Sequence, residues 1–106
     1  MIERRERGQR IIAILTAHLK EGTAHYVVDT ENLSEAGLCL CPQKLFPAGT
    51  GLHLVFGLPP DLPTISADGV VRWSDGGRGV GVEFTSISAD DRQSILNFLN
   101  SQSSHQ

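Results

Sequence analysis

The sequence predicts a mainly β fold: a small six-stranded antiparallel β-barrel with a C-terminal α-helix. Three observations predict it. Apolar and polar residues alternate in short runs, glycine, proline and aspartate punctuate those runs, and only the segment after Ser88 changes to helical spacing. Closing the sheet on itself also removes exposed edges, which a sheet this small cannot otherwise cover. A chain of 106 residues, 40% of them hydrophobic, fits one core that needs neither disulfide nor metal. That composition excludes two domains and disorder over most of the chain.

The strands follow in order. A first apolar run, residues 10 to about 19, stops at Lys20-Glu21-Gly22, and a second, about 23 to 29, begins at once, so the two form a hairpin. His18 and His25 flank its turn region as surface strand residues, not as a catalytic pair. Residues 30–36 turn polar and read as a connection. Gly37-Leu38-Cys39-Leu40-Cys41 then resumes as a strand that Pro42 stops. Residues 51–58 alternate cleanly, with Leu52, Leu54, Phe56 and Leu58 on one face, and Pro59, Pro60 and Pro63 make a stiff exposed connection.

Two more strands, about 65–74 and 79–85, are joined by Asp75-Gly76-Gly77-Arg78, a strong hairpin signal. Trp73 alternates with Val71 and is expected in the core or barrel wall rather than as a stacking platform. Val80, Val82 and Phe84 face one way, Gly79, Gly81 and Glu83 the other. Those glycines either leave room for something packed closely over their face or, needing no ligand, let a small barrel bend. Ser88 caps a helix whose first turn carries Asp90 and Asp91 at the positive end of its dipole. Ile95, Leu96, Phe98 and Leu99 form its buried stripe.

Charge is distributed unevenly. The net charge is −3, yet residues 1–10 hold Arg4, Arg5, Arg7 and Arg10 against Glu3 and Glu6, a local +2 that leaves −5 for the remainder. The expected organisation is an arginine-rich arm at 1–10, a barrel domain with its helix at 10–100 and a polar tail at 101–106. An acidic body argues against duplex nucleic acid, which rewards a broad basic face. The arm is either a solvated basic tail or a clamp for a small anion. No run approaches the ~20 apolar residues of a membrane span and the N-terminus is unlike a signal peptide, so a cytoplasmic protein is expected.

Catalytic chemistry is not visible. Cys39 and Cys41 stand two apart on a strand as small buried hydrophobes, and no histidine lies at a recognised metal spacing from them. No nucleophile elbow, Walker loop or dinucleotide fingerprint occurs, so the chain is expected to be no enzyme and to use no cofactor or metal.

Binding chemistry is visible in two places. In Asn32-Leu33-Ser34-Glu35-Ala36-Gly37, residues two apart project to one side, so the Asn32 amide and Ser34 hydroxyl converge on one ligand edge. Gly37 there allows positive φ or close approach of a ligand to the backbone. Taken alone, these residues equally describe a loop whose asparagine and serine satisfy their own backbone. The arm supplies guanidinium forks that fit phosphate oxygens and the O6/N7 edge of guanine.

Together these residues resemble a family. The segment from Asn32 to Gly37 matches the Asp/Asn-x-Ser-x-x-Gly motif of PilZ domains, and the arginine cluster stands at the position of their Arg-x-x-x-Arg motif. Gly69-Val70-Val71-Arg72-Trp73 and Gly79-Val80-Gly81-Val82-Glu83-Phe84 resemble the family's last two strands, so the similarity spans about residues 3–100. The resemblance implies a six-stranded barrel that binds the second messenger cyclic di-GMP through Arg5, Arg7, Arg10, Asn32, Ser34 and Gly37. It also implies a non-enzymatic receptor that changes its surface on binding and so regulates a partner protein in bacterial motility or biofilm behaviour. No two of the four arginines are four apart, and Glu6 fills the first motif position if Arg10 fills the second. Arg5 or Arg7 would reach that position by a shift of one residue. A second reading is therefore an adaptor that keeps the fold and has lost the nucleotide.

Overall fold

The structure, a computed structural model, describes residues 10–41, 46–59 and 64–103. The arm with Arg5 and Arg7, the proline positions 42, 60 and 63, and the end of the polar tail lie outside the described residues. Seven strands and one helix follow in chain order: β1 (Arg10–Ile12), β2 (Thr16–Glu21), β3 (Ala24–Ser34), β4 (Gly37–Cys41), β5 (Gly51–Gly57), β6 (Thr64–Asp75), β7 (Gly79–Ile87) and α1 (Ala89–Ser103). Every pairing is antiparallel, and the ring β3-β2-β5-β6-β7-β4 closes through a β3–β4 pairing. This is the expected six-stranded barrel, with β1 as one extra strand.

Two boundaries differ from the sequence reading, for one reason. The first apolar run is split into β1 and β2, both lying along the same edge of β3, where Ile12 faces Asn32 and Thr16 faces Asp29. Residues 13–15 thus oppose only Thr30 and Glu31, a one-residue excess. Thr30, which is buried, fills the break: its Oγ1 donates to the Ala13 carbonyl at 2.6 Å and accepts from the Leu15 N–H at 2.9 Å. Residues 30–34, expected as a polar connection, are therefore strand. Their polar side chains serve the barrel wall and its outer face, and polarity alone does not distinguish that from a loop.

Alternation fills the interior. Leu19, Leu33, Leu38, Leu40, Leu54, Phe56, Ile65, Val71 and Val80 are buried within the barrel core, each contributing roughly 1.5–3 kcal/mol of transfer free energy. β4 comes close enough to β7 that a Cβ at Gly37 would lie 2.0 Å from the Val82 carbonyl oxygen. Only glycine fits that crossing.

Ser88 caps α1 as expected, its Oγ accepting from the Asp91 N–H at 3.0 Å. The Asp91 carboxylate then accepts from the Ser66 N–H at 3.0 Å, on β6 beyond the end of its pairing with β7. Ile95, Phe98 and Leu99 are buried as the helix packs on β6 and β1. Among the described residues no helix is long and apolar enough to cross a membrane.

Thr30→Val keeps the side-chain shape but leaves the Leu15 N–H and Ala13 carbonyl unpaired in the interior. It is expected to cost about 2 kcal/mol, read as a lower urea midpoint at unchanged slope. A loss below about 0.5 kcal/mol would mean that water or a shifted backbone replaces the bridge.

Candidate functional site

An open cavity of about 740 Å³ lies on the outer face of β3, β4, β7 and β6, within the ordinary size range for a small-molecule site. Its floor is low because the outward residues of the two middle strands are small: Gly37 and Cys39 on β4, with Gly81 on β7 facing Cys39. Two bulges raise the walls. On β3 the register slips between Thr30 and Asn32, so Glu31 and Asn32 both turn outward and line the cavity. On β6 it slips between Val71 and Trp73, and Arg72 and Trp73 both turn outward.

The second bulge corrects the expectation for Trp73. Alternation with Val71 would send the indole inward, but the extra residue reverses the phase. Val71 is buried, while Trp73 retains 37% of its exposure and lies over Gly81, where a Cβ would come 2.1 Å from its Nε1. What packs over the glycine face is thus the chain's own tryptophan.

The wall near the arm joins two of the expected ligand residues. Arg10 stands opposite Ser34 and diagonal to Asn32, and its Nη1 donates to Asn32 Oδ1. Ser34 and Gly37 behave differently. Ser34 is 1% exposed, and its hydroxyl donates to the Gly37 carbonyl at 3.2 Å and accepts from the Ala36 N–H at 3.3 Å. It braces the turn rather than facing the cavity. Gly37 lines the cavity, but its missing Cβ is explained by the Val82 carbonyl behind it. The same turn is fastened from outside, because the Ala36 carbonyl accepts from the Phe84 N–H at 2.8 Å and Glu35 lies 3.7 Å from Arg92 on α1. Arg5 and Arg7 belong to the part of the chain outside the described residues.

Sequence reasoning missed the far wall. Arg72 pairs with Glu83 through its Nε, and the Arg78 guanidinium lies 4.9 Å from the centroid of the Trp73 ring. The Asp-Gly-Gly turn was the available signal, since it brings Arg78 back toward Trp73. The cavity therefore carries Arg10, Arg72 and Arg78 against Glu31 and Glu83. Burial, reinforced by Glu31, pushes the Cys39 thiol up, so it is protonated at neutral pH and acts as apolar floor. Cys41, expected to be buried, is exposed.

Two other polar groups lie off the cavity. His18 and His25 stack on the barrel exterior with ring centroids 5.6 Å apart. His53 bridges β5 and β6, its Nδ1 2.8 Å from Asp68 Oδ1 and its Nε2 3.2 Å from Ser66 Oγ. His53 and Asp68 stand directly opposite each other across the two strands, and Ser66, opposite Val55, lies on the diagonal. No group of three or more potential metal ligands occurs among the described residues.

Comparisons with known proteins agree with this fold. The family model of the PilZ domain matches residues 3–101. Among solved structures, the Bacillus subtilis inhibitor of motility MotI/DgrA superposes with a TM-score of 0.80 at 23% identity, over 99% of this chain and 55% of that one. The PilZ domain of CeSA from a cellulose-synthesizing bacterium gives 0.65 at 16% identity, over 90% and 98%. Borreliella burgdorferi PlzA in complex with c-di-GMP gives 0.62 at 18% identity, over 87% and 40%. The chain thus spans about half of MotI/DgrA and less than half of PlzA, and these likenesses show a shared fold. No curated protein matches in sequence.

Ser34→Ala is expected to cost about 1–2 kcal/mol by stranding the Ala36 N–H, with chemical-shift changes confined to residues 34–37. Gly81→Ala should push the indole off its seat and red-shift its emission. An unchanged spectrum would show that Trp73 does not rest on that glycine.

Proposed function

This chain belongs to the PilZ domain family, and on that premise we propose that it is a cyclic di-GMP receptor whose bound form presents a changed surface to a partner protein. PilZ proteins take cyclic di-GMP as a ligand, not as a cofactor, and are typically binding or adaptor proteins rather than enzymes. The observation that carries the reading is the Arg10–Asn32 hydrogen bond on the wall of a polar cavity. It joins the arginine that ends the arm to the first residue of the Asn-x-Ser-x-x-Gly motif.

The chemistry follows from what each group can exchange. The Arg10 backbone is paired with β3, but its side chain is exposed and, on giving up its bond to Asn32, can swing toward a phosphate, where a guanidinium makes forked, charge-assisted bonds. That movement releases the Asn32 amide, whose carbonyl and NH2 then match the donor and acceptor edge of guanine. Ser34 contributes by fixing the turn.

A changed surface would be felt close by. Ile12, opposite Asn32 across β1 and β3, is 85% exposed, and Ile14 is 74% exposed. Apolar groups of that size beside the ligand wall suit a partner protein. The family relative named as an inhibitor of motility supports a role in motility control.

A second reading has its own support. Glu31 and Glu83 bring carboxylates into the cavity, where they oppose a phosphate, and the Ser34 hydroxyl is already spent on its own turn. Under this reading the domain binds its partner without nucleotide, and a partner is recovered equally with and without cyclic di-GMP.

Calorimetric titration of the full chain with cyclic di-GMP, with GTP and the linear dinucleotide as controls, separates the two. Saturable heat is expected for the cyclic ligand, with Arg10→Ala weakening binding at least about tenfold. No heat, together with unmoved amide resonances at Arg10 and Asn32, would reject the receptor in favour of the adaptor.

A further inference from the structure

Away from the cavity, the outer wall of β5 and β6 joins a serine, a histidine and an aspartate in one line. Asp68 Oδ1 lies 2.8 Å from His53 Nδ1, and Ser66 Oγ lies 3.2 Å from His53 Nε2. With the imidazole neutral, these partners fix its tautomer. A carboxylate only accepts, so Nδ1 carries the proton, Nε2 keeps its lone pair and the Ser66 hydroxyl donates to it. A serine is activated as a nucleophile by this arrangement: a base within hydrogen-bond reach, itself oriented by a third group.

The surroundings hold the hydroxyl in place and leave it accessible. The Ser66 backbone is fixed by its pairing with Val55 on β5 and by its N–H donating to Asp91 Oδ2 at 3.0 Å. Pairing of β6 with β7 stops at Ala67, Ser66 is exposed, and the side chains of His53 and Asp68 keep 43% and 59% of their exposure. Lys20 stands directly opposite His53 on β2, on the same outer face, and among the described residues no carboxylate pairs with it. Its ammonium is the positive charge available to an oxyanion on this wall, since the Ser66 N–H is already taken.

We infer that Ser66, His53 and Asp68 form a nucleophilic triad that accepts and hydrolyses the acyl group of small activated esters, an activity separate from nucleotide recognition. Ser66 Oγ bonds to the ester carbonyl carbon as its proton passes to His53 Nε2. The tetrahedral oxyanion collapses, the C–O bond to the leaving alcohol breaks, and the alcohol takes that proton. Water then attacks the acyl-serine while giving a proton to the same Nε2; on collapse the carboxylic acid leaves and the proton returns to Ser66 Oγ. The sum is ester plus water to acid plus alcohol, with the protein unchanged. Asp68 is a positioning residue, holding the ring and stabilising the imidazolium that forms. An open wall gives the ester little surface to bind, so the rate is expected to rise linearly with ester concentration.

The full chain is incubated with para-nitrophenyl acetate, following nitrophenolate release and locating the acetyl group by peptide mass spectrometry. Ser66→Ala and His53→Ala are each expected to slow release at least about tenfold, with acetyl found on Ser66 of the unsubstituted chain. Asp68→Asn should slow it as well, and Asp68→Glu, which keeps the carboxylate, should recover most of that loss. His18→Ala removes an exposed imidazole outside the triad and should leave the rate unchanged. All these side chains lie on the outer wall, so the variants are expected to fold, which an unchanged urea midpoint checks. Acetyl found only on lysine or histidine, with an unaffected Ser66→Ala variant, would overturn the triad. So would a His18→Ala loss as large as that of His53→Ala, or Asp68→Asn equal to the unsubstituted chain. None of these outcomes bears on cyclic di-GMP binding, which the calorimetric titration decides by itself.

Discussion

The barrel depends on β3 being paired on both edges along one continuous strand. Its near half takes β2, its far half takes β4 on the opposite edge, and β1 returns to the first edge beyond Thr30. The Thr30 hydroxyl makes that possible, since it satisfies both a carbonyl and an N–H at the break between β1 and β2. Without a partner for those groups, the interior of a small barrel would contain unpaired backbone, which costs more than the hydrogen bonds themselves contribute. Gly37 is the matching condition on the other edge, where β4 passes against the Val82 carbonyl.

The cavity is a by-product of how this barrel bends. Each of two bulges inserts one residue into a strand wall, and each turns two neighbouring side chains outward instead of one. The pairs so exposed, Glu31 with Asn32 and Arg72 with Trp73, face one another across a floor of small residues. Bending and site construction are therefore the same act. The mixture of three arginines and two glutamates gives the groove polar partners of both signs, which suits a ligand that carries phosphates and also a hydrogen-bond-donating base edge.

Much of this was legible in the sequence, and what was not has a common physical cause. Alternation identified the inward faces of β5 and β7, Ser88 marked the helix start, and the Asn-x-Ser-x-x-Gly spacing marked the near wall. Period-two reading assumes an unbroken phase, so it failed where a bulge shifts the phase. Trp73 was sent inward for that reason, and Arg72 and Arg78 were not recognised as its neighbours. Residues 30–34 looked like a connection because Thr30, Asn32 and Ser34 are polar. Their hydroxyl and amide groups bridge strands or brace a turn, and those long-range partners cannot be read from local spacing.

The turn at Glu35 and Ala36 is anchored to itself through Ser34, to β7 through Phe84 and to α1 through Arg92. The ion pair, partly exposed, adds little, but the hydrogen bonds raise the free energy needed to open this segment locally. A motif-bearing turn of this kind has little conformational freedom left to lose when a ligand arrives. Its side of the groove behaves as a mould set before casting, while the long side chain of Arg10 supplies the adjustment.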